Sequence, residues 1–273
     1  MTARTAAADA ARLLRAAGVP DPKLESEVLA RHAGGLSRAS FFAGEPLPEA
    51  AGETLAAYID RRIAREPAAY ITGVREFYGL EFGVGPGVLV PRPETEMLVE
   101  IALEELNGAP DALVADAGTG SGCVAVAIAV AAPAARVVAI DVSEVALTVA
   151  RANATNHDAH VTFILGDLLT GLARAEIVLA NLPYIPTGEI DQLEPEVSRW
   201  EPRVALDGGA DGFALIRRLI DDCATRLRPR LLALEVSYGQ AAAVAAYARR
   251  HTDEVTLRKD LAGIDRVVCV RWA

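Results

Sequence analysis

The chain has 273 residues, 52% of them apolar and 23% charged, which is the composition of a globular protein with room for one large domain or a large one and a small one. No stretch reaches the roughly 18 charge-free apolar residues of a membrane span, and the first residues, with Arg4, Asp9 and Arg12, lack the apolar segment of a secretory signal. The net charge of −10 is uneven: residues 1–82 carry 10 Lys/Arg against 11 Asp/Glu and residues 83–273 carry 17 against 26, so no stable nucleic-acid binding is expected from the acidic second part.

Residues 4–17 are Ala/Leu/Arg-rich, and Lys23–Ala33, Ser37–Phe42 and Glu49–Glu66 continue in a helical idiom between turn signals at Gly18-Val19-Pro20, Gly34-Gly35 and Glu45-Pro46. Leu55, Ile59 and Ile63 recur every four residues and predict one apolar helix face, with Arg61, Arg62 and Arg65 on the surface. Residues 1–72 therefore read as a small helical domain that docks or caps a substrate. After Tyr70-Ile71-Thr72-Gly73 the pattern changes. Glu76–Phe82 is aromatic and β-prone, and Gly85-Pro86-Gly87 precedes Val88-Leu89-Val90, so residues 73–92 read as a β-hairpin linker turning at Gly85–Gly87. Pro91-Arg92-Pro93-Glu94-Thr95-Glu96 opens a helix to about Asn107, with Pro and acids suited to its first turn.

Residues 93–273 read as one catalytic domain in which strands and helices alternate. Strands are expected at Ala112–Ala117, Arg136–Ile140, Val161–Leu165, Glu176–Ala180, Arg230–Val236, Val255–Arg258 and Arg266–Arg271. Helices are expected at Cys123–Ala132, Glu144–Asn156, Phe213–Leu227 and Gln240–His251. Repeated strand–helix units require a mainly parallel sheet, whereas the last two strands, joined by Asp260–Asp265, are too close for a crossover and must pair antiparallel.

The chemistry-bearing residues gather at strand ends. Gly118-Thr119-Gly120-Ser121-Gly122 follows Asp116 and opens a helix; its glycines admit close backbone approach to a ligand, and the helix N-terminus is expected to offer unpaired N–H groups. The G-x-G-x-G spacing differs from the G-x-G-x-x-G of dinucleotide binders. Asp141, 25 residues after Asp116, can accept from both hydroxyls of a ribose, with Ser143 free to cap the next helix. Asp167 can accept from an adenine amino group while Leu168 packs on the ring. At Asn181-Leu182-Pro183-Tyr184, which ends the apolar run Ile177–Ala180, the Asn181 side-chain oxygen and the Leu182 carbonyl can accept both N–H groups of an amide or arylamine. Tyr184 can stack on that flat group. A nitrogen so held needs no strong base, because its proton can leave after methyl transfer. Cys123, Cys223 and Cys269 read as buried thiols in a reducing cytosol. No metal is expected, because His32, His157, His160 and His251 lack partners at ligand spacing; His157 and His160 flank a turn and read as solvated.

Taken together these segments resemble the peptide-chain release factor glutamine N5-methyltransferases, the HemK/PrmC group, over nearly the whole chain. The shared features are the helical N-terminal domain, Tyr70–Gly73, Glu76–Gly79, Leu89–Glu96, Gly118–Cys123, Glu201-Pro202 and Ala205-Leu206-Asp207-Gly208-Gly209 before Asp211-Gly212. The resemblance implies an α/β fold, a seven-stranded class I S-adenosylmethionine-dependent methyltransferase (Rossmann-like) domain preceded by the helical domain and hairpin. It implies S-adenosyl-L-methionine as cofactor at Gly118–Gly122, Asp141, Leu168 and Asn181. It also implies a cytoplasmic monomer that meets a release factor as protein substrate, with the glutamine of its Gly-Gly-Gln tip at Asn181–Tyr184. Two positions depart from the family pattern: Leu182 stands where the family has Pro, and Ala241 follows Gln240 where Gly is expected. Asn-Leu-Pro-Tyr also looks like the motif of rRNA adenine N6-methyltransferases, so RNA methylation, or amine methylation by a paralogue, is the alternative; a non-catalytic cofactor binder and a nicotinamide oxidoreductase rank below it.

Overall fold

The computed structural model describes residues 1–272 and divides them into two units, each with its own core: Met1–Val74 together with Glu194–Trp200, and Arg75–Leu193 together with the residues from Glu201 onward. The first unit contains α1 (Ala3–Ala16), α2 (Pro22–Gly34), α3 (Arg38–Ala43), α4 (Glu49–Ile63) and α5 (Ala68–Thr72). Thr2 and Ser37 cap α1 and α3, each accepting from a backbone N–H three residues on. Buried Ala3, Ala6, Ala7, Ala10 and Leu14 form one stripe of α1, packed with Leu29, Ala30, Phe41, Leu55 and Ile59.

The second unit begins with β1 (Val74–Phe77) and β2 (Leu80–Gly83). Contrary to the sequence expectation, this hairpin turns at Tyr78-Gly79 and not at Gly85–Gly87, and Val88–Val90 is not a strand. Tyr78 (φ 51°) and Gly79 (φ 74°) are both left-handed, the conformation of a type I′ turn, whose twist suits paired strands. A 3₁₀ turn at Pro93–Thr95 leads into α6 (Glu96–Leu106). Then follow β3 (Leu113–Ala117), α7 (Cys123–Ala131), β4 (Arg136–Asp141), α8 (Glu144–Asn156), β5 (Val161–Leu165) and β6 (Ile177–Ala180). The chain next contributes α9 (Pro195–Ser198) to the first unit and returns for α10 (Ala214–Asp222), β7 (Leu231–Glu235), α11 (Ala241–Ala248), β8 (Val255–Lys259) and β9 (Asp265–Val270). Beyond Asp222 the helix expected to run to Leu227 widens into a π turn, Cys223–Leu227.

The sheet order is β5-β4-β3-β6-β7-β9-β8, parallel from β3 to β7 and antiparallel at the final hairpin. Successive residues alternate between two cores, as a strand's period of two requires. Ala115, Val138, Val178, Leu232 and Val268 face α10 and α11, while Val114, Val137, Leu179, Leu231 and Val267 face α6 and α7. The connections leave β3 in one direction for β4 and β5 and in the other for β6, so a crevice opens at the carboxyl ends of β3 and β6, where open α/β sheets bind ligands. No described helix is long and apolar enough to cross a membrane.

Two further expectations are corrected. His157 is not simply solvated: its Nε2 lies 2.7 Å from the Glu81 carbonyl and its ring packs on Phe82. Arg62 is not on the surface but 1% exposed, whereas Ile63 is exposed. The reason is a cluster of charges that no local pattern reveals. Within the first unit Arg62 pairs with Glu25 of α2 and, at 2.6 Å, with Glu196 of α9, while Arg65 grips the same Glu196 at 2.6 Å. Removing one partner of such a buried set strands the other charges. Arg62→Ala should therefore lower the unfolding free energy by about 3 kcal/mol or more, read from the midpoint of urea unfolding; a midpoint unchanged from the parent protein would show that water already solvates the cluster.

Candidate active site

A cavity of about 350 Å³ lies outside the carboxyl ends of the parallel strands. The loops after β3, β4, β5 and β6 supply Gly118, Thr119, Gly120, Ser121, Asp141, Gly166, Asp167, Leu168, Asn181, Leu182 and Pro183. The segment before α6 supplies Val88, Leu89, Pro91, Arg92 and Thr95. Ten of the twelve side chains and loop positions expected from the sequence thus meet on one wall. Gly122 and Tyr184 are not on it.

The glycine loop serves shape rather than donor groups. Gly118 and Thr119 N–H both donate to the Ile140 carbonyl, Gly120 N–H to Asp141 Oδ2 at 2.9 Å and Gly122 N–H to the Thr119 carbonyl. These loop N–H groups are therefore spent within the protein, on the end of β4 and on the Thr119 carbonyl, and of the helix-start N–H groups expected to be unpaired, that of Ala125 is taken by Asp116. Buried Asp116 closes the helix start, accepting from the Thr119 hydroxyl at 2.6 Å and from Ala125 N–H. Burial pushes its pKa up to about 6 against those hydrogen bonds. Gly122 (φ +81°) makes room for α8, since a Cβ there would meet the Cβ of Ala150 at 2.9 Å.

A nucleoside with a positively charged substituent and no phosphate fits these walls. Asp141 accepts one N–H on each oxygen, from Gly120 and Ser143, which holds the carboxylate at the cavity edge with lone pairs to spare. Ser143 caps α8 as expected. Asp167 keeps one oxygen beyond its 2.6 Å pair with Arg218, and Leu168 beside it is held at φ 51°.

Asn181 is fixed by a residue the sequence reading did not single out. Its Nδ2 donates to Thr95 Oγ1 at 3.0 Å, and Oδ1 accepts from no described residue. Thr95 in turn hydrogen-bonds the carboxylate of Glu235, the last residue of β7. Burial pushes Glu235 up to about 7, with the Thr95 bond opposing. An acid closing the otherwise apolar Leu231–Glu235 was the available signal for it. Leu182 is 3% exposed and packs on Gly118, whose absent Cβ would lie 3.2 Å from Leu182 Cδ2.

The segment behind Asn181 is held by backbone contact. Ile185 N–H donates to the Leu206 carbonyl, and Gly208 N–H returns the bond to Ile185. Gln240 spans Ser237 N–H and the Tyr184 carbonyl, the latter at 2.8 Å, so the neighbouring Ala241 leaves its job intact. Gly212 (φ +78°) lies so close that a Cβ would be 2.4 Å from the Tyr184 carbonyl oxygen. The Tyr184 side chain packs against the core, and burial pushes its phenol up to about 12, so it stays protonated. Each polar residue of the segment before α6 also has a partner. Arg92 pairs with buried Glu201 at 2.6 Å, Glu94 lies 3.9 Å from Arg266, and Glu96 accepts from Tyr78 N–H at 2.9 Å.

Comparison with known proteins agrees along the chain. Residues 5–73 match the family model of the PrmC N-terminal domain, and residues 79–200 match that of ribosomal protein L11 methyltransferase (PrmA). A release factor glutamine methyltransferase of Moorella thermoacetica is 45% identical over 97% of both chains. One of Caulobacter vibrioides is 40% identical over 93% of this chain and 91% of the relative. Among solved structures, the hMettl16 catalytic domain in complex with MAT2A 3'UTR hairpin 6 aligns with TM-score 0.59 at 14% identity over 82% of each chain. The T. Thermophilus 16S rRNA methyltransferase RsmC aligns with TM-score 0.52 at 18% identity over 73% of this chain and 50% of that one. At such identities the structural likeness speaks for the class I methyltransferase fold alone.

The contact at Gly212 gives a direct test of the brace. Gly212→Ala should cost about 1–3 kcal/mol and lower Tm by several degrees in a thermal melt. Gly85→Ala, with open space and ordinary φ, should leave Tm in place. Equal melting of the two variants would refute the brace.

Proposed function

The chain belongs to the release factor glutamine methyltransferase family, and from that premise we propose that it methylates the side-chain nitrogen of the glutamine in the Gly-Gly-Gln tip of peptide chain release factors, with S-adenosyl-L-methionine as donor. When bound, S-adenosylmethionine supplies a methyl group on positively charged sulfur that a nitrogen lone pair can take. In this reading Gly118–Ser121 pass beneath the cofactor, Asp141 accepts from its ribose hydroxyls, and Asp167 and Leu168 hold the adenine edge and face.

The observation that carries the reading is the bond from Asn181 Nδ2 to Thr95. It commits the amide nitrogen of Asn181 to the protein and leaves Oδ1 as an acceptor on a residue of the cavity wall, and in this reading the carbonyl of Leu182, the next wall residue, is the second acceptor. Two such acceptors suit a primary carboxamide, which offers two N–H donors in one plane. Held there, the glutamine nitrogen is oriented rather than deprotonated, and its surplus proton passes to solvent afterwards. The protonated Tyr184 phenol and the inert, buried Cys123 thiol, pushed up to about 12 by burial, supply no base, and none is needed. Leu182 supplies its backbone carbonyl, which does not depend on the side chain, so the departure from the family's Pro leaves the acceptor pair intact. The helical unit serves, in the same reading, to dock the release factor.

Tritiated methyl transfer to purified release factor tests the assignment: label is expected on the intact protein and none when its Gly-Gly-Gln glutamine is replaced. Label persisting on the replaced protein, or appearing on rRNA alone, would overturn it. Asn181→Ala should reduce transfer about 100-fold or more while calorimetry shows cofactor binding largely kept. Asp141→Ala should weaken cofactor binding by about 10- to 100-fold, and equal binding would refute its ribose role.

A further inference from the structure

Glu235 is a buried acid behind the cavity wall that the methyl transfer does not use. It is 3% exposed, it ends β7 opposite Val267, and its Oε2 has no hydrogen-bond partner among the described residues. Thr95, equally buried at 3% and lining the cavity, is hydrogen-bonded to both Asn181 and Glu235. We propose that Glu235, acting through the Thr95 hydroxyl, is a positioning residue that selects which end of the Asn181 carboxamide faces the substrate. The inference rests on the reading above, in which Asn181 Oδ1 receives a glutamine N–H.

The two ends of a carboxamide have nearly the same shape, so packing does not choose between them; hydrogen-bond polarity must. A hydroxyl has one proton to give. An ionised carboxylate only accepts, so it takes the Thr95 proton and turns the hydroxyl's lone pairs toward Asn181. Asn181 must then donate, which it does with Nδ2 at 3.0 Å. The direction of the chain of donors, Asn181 to Thr95 to Glu235, is thus set at its far end. A neutral group in place of the carboxylate frees the hydroxyl to turn. The carboxamide can then reverse and set its own N–H groups against those of the incoming amide.

The charges around Glu235 decide when it is ionised. Glu94 opposes ionisation, and Arg266 and Arg92 favour it; Tyr184 and Cys123 also face it and stay neutral, both being pushed up to about 12. Burial dominates and raises the carboxyl to about 7. A raised carboxyl pKa means protonation below neutrality, so orientation and rate should rise with pH through about 7 and then level.

The test uses the full chain with Glu235→Gln, Thr95→Val and Thr95→Ser. In Glu235→Gln and Thr95→Val, kcat on the release factor should fall about 10- to 100-fold with cofactor affinity by calorimetry within about threefold. Thr95→Ser should recover most of the loss seen in Thr95→Val. Glu235→Gln should also lose the rise in rate near pH 7. A second readout needs no substrate: the side-chain N–H signals of Asn181 in a ¹⁵N–¹H spectrum, assigned by their loss in Asn181→Ala, should titrate near neutral pH in the parent and stay flat in Glu235→Gln. Titration there in a protein that leaves the release factor unmethylated would support the positioning chain while removing the proposed acceptor. Parent-like kcat and pH profile in both Glu235→Gln and Thr95→Val, or an Asn181 signal that titrates identically without Glu235, would overturn the proposal.

Discussion

A carboxamide can read another carboxamide only if its own two ends are told apart, and in this chain the bond from Asn181 to Thr95 does that. Three separate parts of the chain come together to form that bond and back it. β6 carries Asn181 to the carboxyl edge of the sheet with four fully buried residues behind it. The start of α6 brings Thr95 to it from 86 residues upstream. β7 places a carboxylate behind the hydroxyl. None of the three groups is reactive alone, and the proposed chemistry asks only for orientation.

The loops around the bond are fixed by backbone contact in preference to side-chain chemistry. The glycine loop gives four of its five N–H groups to Ile140, Thr119 and Asp141, which suits a ligand with ribose and base but no phosphate. Behind Tyr184, the Gly208–Gly212 turn and Gln240 take up the backbone groups that an irregular loop would otherwise leave unpaired. Asn153 ties Gly83 of the hairpin to the Ser121 carbonyl, so the hairpin supports the floor of the cavity. The hairpin is thereby tied to the glycine turn through Asn153 and to Glu96 through the Tyr78 N–H, although the three are far apart in sequence.

The legible part of this fold was whatever depends on neighbours in sequence. The apolar runs of β3 to β7, the Ser143 cap and the short link between β8 and β9 are local facts, and they located the strand ends and hence most of the cavity wall. Groups whose environment comes from distant chain were not legible. Arg62 sat on an apparently polar face because its partner Glu196 lies 134 residues away. Thr95 looked like a helix start, and Glu235 like the end of a strand, until the sheet brought both behind Asn181. The hairpin was misplaced because its type I′ turn uses Tyr78-Gly79 rather than the usual Asn-Gly or Asp-Gly. Tyr184 was expected on the wall because aromatic residues stack; its carbonyl is clamped and its ring joins the core instead.

The most direct measurement is a crystal structure of the protein with S-adenosylhomocysteine and a peptide containing Gly-Gly-Gln. The glutamine nitrogen should lie within hydrogen-bond distance of both Asn181 Oδ1 and the Leu182 carbonyl, with Asn181 Nδ2 still on Thr95. A glutamine side chain bound elsewhere, or an Asn181 that has left Thr95 to meet it, would contradict the account.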